Sequence, residues 1–265
     1  MTMTNKKINS LFLSDFFLVE IRSYVVLNSL LLTSTIFSHV RKYYYQYTLN
    51  RLDSLYYYHN IRDWTDRIHS QKQLSLDLRN CDIIDVSRIK DVYAVNLSEN
   101  MLLEDVSCLK NVHTLHLSDC PLVMDVSELG NVQELYLQKN IFLNDVESLG
   151  NNHKLNLSSC ISIFTVFSLR NVYDLNLSHC YYLDDVSALG NVRFLNLQNC
   201  SSLVDVSSLR NNYSLNISRC ENIVDVSALQ NTTILNIRYC SQIRDISMLR
   251  NVPTLFKEGC DIHIM

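Results

Sequence analysis

The sequence predicts an α/β repeat solenoid with a parallel β-sheet on its concave face, preceded by a small α-helical unit. Two observations carry that prediction. From about residue 74 onward the 265-residue chain overlays on itself at a period of twenty. Leu175-Asn176-Leu177, Leu195-Asn196-Leu197 and Leu215-Asn216-Ile217 coincide, as do Cys180, Cys200 and Cys220, and Asp185, Asp205 and Asp225 each open an Asp-Val-Ser triplet. Upstream of the repeats, apolar residues instead recur at helical spacing.

Residues 1–10 are polar and read as a flexible N-terminus. Residues 11–50 read as three short helices. Ser14 or Asp15 can cap the first, whose stripe is Phe17, Leu18, Ile21 and Val25. Asn28 or Ser29 opens the second, with Leu30, Leu31 and Leu32; the third runs from Ser34 to Tyr47, with Phe37, Val40, Arg41 and Tyr44 on successive turns. Three such helices bury too little surface to stand alone, so they need a partner or the neighbouring solenoid. Residues 51–73 form an aromatic linker or N-terminal cap. Tyr43, Tyr44, Tyr45 and Tyr47, then Tyr56, Tyr57, Tyr58 and Trp64, suit a packed bridge, because Tyr buries its ring and keeps its hydroxyl wet.

Residues 74–265 hold nine repeats and a degenerate last rung. Each strand is a pair of apolar residues around one polar residue, from Leu76 and Leu78 through to Leu235 and Ile237. A period of two turns each pair inward and the residue between them outward. The first interval is nineteen residues and the later ones twenty. In the last rung, Leu255-Phe256-Lys257, Lys257 would face the core, which marks the solenoid's end. After the strand comes a small residue expected to be buried, Cys in most rungs and Asn100 or Asn140 in two. An inward apolar residue follows: Leu103, Val123 or Met124, Leu143 or Asn144, Leu183, Leu203, Ile223 and Ile243. The Asp or Ser of each triplet can cap a short turn. The column from Leu109 to Leu249 closes the core, and the column from Asn111 to Asn251 returns the chain to the next strand. So few residues remain on that side that it must be extended or 3-10, not α-helical. Phe164-Thr165-Val166-Phe167 replaces the triplet in one rung, which suits a local bulge or an apolar surface spot.

Composition excludes several function classes. Net charge is −4 with Lys and Arg scattered, so no basic stripe invites nucleic acid. The segment from Ser23 to Val40 is too polar for a membrane span. Lys6 and Lys7 ahead of Leu11-Phe12-Leu13 mimic a signal peptide, but Asp15 interrupts its apolar stretch. Eight of the nine cysteines stand in one repeat column, from Cys81 to Cys260, with Cys108 outside it. Adjacent rungs lie close enough that bridging is geometrically open, yet a uniform column favours reduced thiols. Sequons such as Asn156-Leu-Ser and Asn176-Leu-Ser fall inside predicted strands, where a glycan would obstruct the sheet. A cytoplasmic, reducing location fits both. No catalytic constellation, metal-ligand spacing or phosphate loop is present: His113, His116, His153 and His179 lack a ligand spacing, and glycine occurs only four times. The expectation is a non-enzyme without cofactor or metal.

These residues carry two resemblances. The Leu-x-Leu-x-x-Cys-x-x-Leu-x-Asp and Asp-Val-Ser-x-Leu-x-Asn-Val runs resemble leucine-rich repeats of cysteine-containing and internalin-like character. Repeats this short are also similar to those in proteins of amoeba-infecting giant viruses, whose cytoplasm would be the host's. The N-terminal unit resembles the F-box: Leu13, Asp15, Leu18, Glu20, Ile21, Tyr24, Val25, Leu27, Leu30, Leu31 and Ile36 fall at matching positions without a gap. Ser14 departs from the family by replacing its helix-opening proline, and Phe16 by replacing its usual Glu. The resemblance implies a substrate-recognition subunit of a cullin–RING (SCF-type) ubiquitin ligase. Leu13, Leu18, Ile21, Leu30, Leu31 and Ile36 would contact a Skp-type adaptor, and the solenoid would hold a protein target. The alternative is a stand-alone binding module whose helices only cap its first rung.

The recognition surface is expected on the concave strand face. Its central column, Asp77, Asn96, His116 and Tyr136 followed by Asn156, Asn176, Asn196, Asn216 and Asn236, suggests an amide ladder along the sheet. The varying columns beside it hold Tyr173, His179, Arg193, Phe194, Tyr213, Arg219 and Tyr239, residue types that dominate interface energies.

Overall fold

A computed structural model describes residues 47–60 and 74–261. The three-helix reading falls almost wholly outside these residues; its last residue, Tyr47, lies instead in a short strand, β1 (Tyr47–Thr48). A ten-residue helix, α1 (Arg51–Asn60), follows in the stretch expected to be linker or cap. Its aromatic residues pack against the solenoid: Tyr57 is buried, Tyr56 and Tyr58 lie on the core edge, and the Tyr58 hydroxyl donates to the Asp85 carbonyl at 2.6 Å. The helical side of the expected bridge lies outside the described residues.

Ten further strands recur once per rung: β2 (Leu74–Asp77), β3 (Ala94–Asn96), β4 (Thr114–His116), β5 (Glu134–Tyr136), β6 (Lys154–Asn156), β7 (Asp174–Asn176), β8 (Phe194–Asn196), β9 (Ser214–Asn216), β10 (Ile234–Asn236) and β11 (Thr254–Phe256). With β1 they make an eleven-stranded sheet in sequence order, every pair parallel. The register repeats without slippage, Leu175 against Leu195 and Leu195 against Leu215. Such fidelity follows from the side-chain period of two, since a one-residue slip would turn every inward leucine out to water.

The opposite side of each rung is a single 3-10 segment, as its length required, for example Ser187–Asn191 or Ser207–Leu209. Asp opens it: the Asp185, Asp205 and Asp225 carboxylates each accept the backbone N–H two residues on, at 2.8 Å. Phe167–Asn171 keeps the same geometry without Asp, so no bulge forms; Phe167 simply stands out into solvent with Arg170 over its ring at 4.9 Å. Three of these segments carry glycine where rungs approach most closely. A Cβ on Gly130, Gly150 or Gly190 would sit 2.3–2.4 Å from the Ser148, Ser168 or Ser208 carbonyl oxygen of the next rung.

Between sheet and 3-10 side lies one continuous core. In the central rung Leu195, Leu197, Cys200, Leu203, Val206 and Leu209 are all buried. The two ambiguous early rungs resolve cleanly: Val123 and Leu143 point inward, Met124 and Asn144 outward. Lys257 does not enter the core as anticipated. No described rung covers that end, and its side chain is exposed.

The carboxylate caps imply an acid response. Accepting the serine N–H and hydroxyl holds Asp105, Asp125, Asp185, Asp205, Asp225 and Asp245 below the usual carboxylate range. A carboxylate depressed on folding stabilises the folded chain above its unfolded pKa, and that contribution is lost as pH falls through the folded value. Urea midpoints should therefore drop from about pH 4 downward. The Asp205→Asn/Asp225→Asn variant, which keeps an acceptor but cannot titrate, should show a shallower drop; identical pH curves would refute the role of the caps.

Candidate functional site on the strand face

Residues on either side of each inward leucine face outward, so the sheet presents stacked columns about 4.8 Å apart. The central column does not form the expected amide ladder. Each asparagine oxygen turns back within its own rung: Asn156, Asn176 and Asn196 Oδ1 accept the N–H of Ser158, Ser178 and Gln198 at 3.0 Å, and Asn216 and Asn236 do likewise at 3.1 Å. An asparagine side chain readily closes such a local turn, and here the turn competes with stacking between rungs. It leads into a residue with positive φ in almost every rung, His179 (63°), Asn199 (60°), Arg219 (61°) and Tyr239 (59°) among them.

That backbone geometry divides the seven candidate partner residues into two groups. Tyr173, Arg193, Phe194 and Tyr213 stand at the edge where strands begin, while His179, Arg219 and Tyr239 occupy the left-handed turn at the edge where strands end. The first group is continuous. Tyr173 and Phe194 meet edge-to-face at 5.4 Å, Phe194 and Tyr213 at 5.6 Å, and the Arg193 guanidinium lies over the Tyr213 ring at 4.6 Å. The second group is looser. Arg219 covers Tyr239 at 4.9 Å, and Asn199 Nδ2 donates to His179 Nδ1 at 3.0 Å.

Several members escaped the sequence reading. His153 stacks on Tyr173 at 4.7 Å and 12°, and His113 on Tyr93 at 4.6 Å and 14°, extending the same edge across earlier rungs. In the central column His116 lies flat on Tyr136 at 4.2 Å, where burial lowers its pKa and favours the neutral ring. Lys154 and Asp174 pair at 3.2 Å beside it. The missed signal was available: Tyr93, His113, His153, Tyr173, Arg193 and Tyr213 share one position of the twenty-residue period. The candidate adaptor residues Leu13, Leu18, Ile21, Leu30, Leu31 and Ile36 lie outside the described residues.

The cysteine column is a core spine. Each buried thiol from Cys160 to Cys240 donates to a main-chain carbonyl of the preceding rung, such as Cys200 Sγ to Leu177 O at 3.3 Å. Burial pushes the Cys160 and Cys180 thiols up to about 12. A thiol that gives its proton to a carbonyl and resists ionisation is poorly suited to nucleophilic chemistry or metal ligation. Among the described residues no helix is long and apolar enough to cross a membrane.

A parallel strand, a buried corner residue and a 3-10 return in each twenty-residue rung define the leucine-rich-repeat solenoid. The chain has that fold. It is similar to the leucine-rich-repeat domain of the type III effector XopL, with TM-score 0.51 and 18% identity over 78% of this chain and 90% of that one. An internalin (InlF) from Listeria monocytogenes aligns with 19% identity and TM-score 0.48 over 72% of this chain and 67% of that one. The functional domain of InlJ from the same organism, which includes a cysteine ladder, aligns with 19% identity and TM-score 0.44 over 73% of this chain and 55% of that one. No protein-family model matches the chain, and no curated protein matches it by sequence.

Proposed function

We propose that the chain is a protein-interaction scaffold that captures a protein target along the strand-start edge of its sheet. Its N-terminal unit would couple that target to a Skp-type adaptor of a cullin–RING ubiquitin ligase. The observation that carries the first part is the run of Tyr173, Phe194, Tyr213 and Arg193. Four side chains of the types that anchor interfaces hold one another in place across three strands. Such mutual packing lowers the entropy lost on binding, because the rings are ordered before the target arrives. The adaptor part rests on the F-box resemblance of residues 11–50.

One co-purification experiment tests both parts. The full chain should be retained on an immobilised Skp-type adaptor, and the Leu30→Asp/Leu31→Asp variant should not. Failure of the wild-type chain to be retained would remove the ligase reading and leave a stand-alone module. The target recovered by pull-down and mass spectrometry should bind the Arg193→Glu/Tyr213→Ala variant at least about thirty-fold more weakly, the loss expected for one hot spot. The melting temperature should stay within about 2 °C, since both residues are at the surface. Unchanged capture would place the interface elsewhere.

A further inference from the structure

Each rung has a second outward surface, the flank between the end of the strand and the 3-10 segment. There the residue before and the residue after one inward apolar residue both face solvent. Leu102, Met124, Phe142, Phe164, Tyr182 and Val204 fall at these two positions on successive rungs, and all are more than half exposed, from 53% at Met124 to 62% at Leu102. Phe164 and Tyr182 meet across rungs at 6.1 Å. Scattered exposed apolar residues need no explanation, but a stripe along one flank is the mark of an interaction surface.

The charge beside this stripe has a single sign. On the flank from Met101 to Val226, every charged residue is a carboxylate: the capping column from Asp105 to Asp225, joined by Glu104, Asp184 and Glu221. No Lys or Arg occupies a flank position in these seven rungs. The aspartates are exposed and fixed in place by the serine N–H groups they accept.

We infer that this flank is a docking surface for a basic amphipathic helix of a partner protein, separate from the strand-face site. Its apolar repeat is one rung, about 4.8 Å. The pitch of an α-helix is about 5.4 Å, so helical turns stay near register with the rungs for three or four turns. Same-face residues of an extended strand recur every ~6.6 Å and lose register at once. From Leu102 to Tyr182 is four rung steps, about 19 Å, the length of a helix of about 13 residues. The carboxylate edge selects Lys and Arg beside the partner's apolar stripe. It also argues against an anionic membrane and against a second copy, whose own carboxylates would face these.

The test titrates the full-length protein with a fluorescent peptide of about 14 residues, sized to the stripe. Its leucines are placed at i, i+3, i+4 and i+7 and its other positions are lysine. A permuted peptide of the same composition and a Leu/Glu analogue are the controls. The amphipathic lysine peptide should bind at least about ten-fold more tightly than either control. Phe142→Ser/Phe164→Ser should remove that advantage, again about ten-fold, with an unchanged circular-dichroism melt. Tyr173→Ser/Tyr213→Ser on the strand face should leave it intact. Equal binding of the permuted peptide would reduce the effect to charge alone and overturn the inference. So would indifference to the phenylalanine variant, loss in the strand-face variant, or a wild-type dimer in sedimentation that Phe142→Ser/Phe164→Ser dissociates.

Discussion

Asn100→Ala should destabilise the chain by about 3–5 kcal/mol, because it strips partners from several buried backbone groups at once. The first interval is one residue short: Ile83 follows Cys81 by two positions where later rungs have three, so its N–H finds no carbonyl of its own rung. In later rungs the matching bond is local, as from Ile163 N to Cys160 O at 3.3 Å. The corner N–H goes either to its own rung, as Cys160 N to Leu157 O at 3.1 Å, or to an asparagine of the next, as Cys120 N to Asn140 Oδ1 at 2.8 Å. Asn100 closes the gap from the next rung. Its Oδ1 accepts Cys81 N–H at 3.1 Å and Ile83 N–H at 2.8 Å, and its Nδ2 donates to Leu78 O at 2.9 Å and Leu97 O at 2.7 Å. Asn100→Cys should cost roughly half as much. A thiol there can donate to a carbonyl, as Cys120 Sγ does to Leu97 O at 3.2 Å, but cannot accept the Ile83 N–H. Urea denaturation followed by circular dichroism checks both values, and equal costs for Ala and Cys would disprove the account.

Leu197→Ala should cost about 3–5 kcal/mol, near the upper end for a buried leucine. Leu197 is fully buried in the middle of the solenoid, beneath Leu177 and above Ile217 in the same column. Rung spacing is fixed by the sheet's hydrogen bonds, so the neighbours cannot collapse into the cavity. Because each rung contacts only its neighbours, the damage is local, and the halves on either side can lose coupling. The expected denaturation curve therefore broadens as its midpoint falls. The same truncation at Leu255, already half-exposed on the last strand, should cost much less. Equal losses at the two sites would contradict this view of the core.

Which residues form the spine was legible from sequence because each inward column repeats at a fixed interval. The Leu-x-Leu pairs, the cysteines, the leucines of the 3-10 side and the capping aspartates all lie where that period puts them. The candidate site was half legible. Tyr173, Arg193, Phe194 and Tyr213 do form one group, whereas His179, Arg219 and Tyr239 belong to the opposite edge. That division depends on the left-handed turn after each strand, where the N–H of a non-glycine residue is held by a carbonyl of the next rung, as His179 N is by Gln198 O at 2.8 Å.

The sequence by itself determined the solenoid, its parallel strands, its 3-10 returns and its inward columns. These are one-dimensional regularities, and in a repeat protein the neighbour in space is the residue one period away. The tertiary structure decided how unlike neighbours combine. It showed that His153 stacks on Tyr173, that the asparagines close turns and do not pair along the sheet, and that Asn100 compensates a missing residue. It also gathered Leu102, Phe142 and Phe164 into one stripe. Each outcome depends on which way a side chain leaves its rung and what the adjacent rung offers it, and no single repeat encodes both.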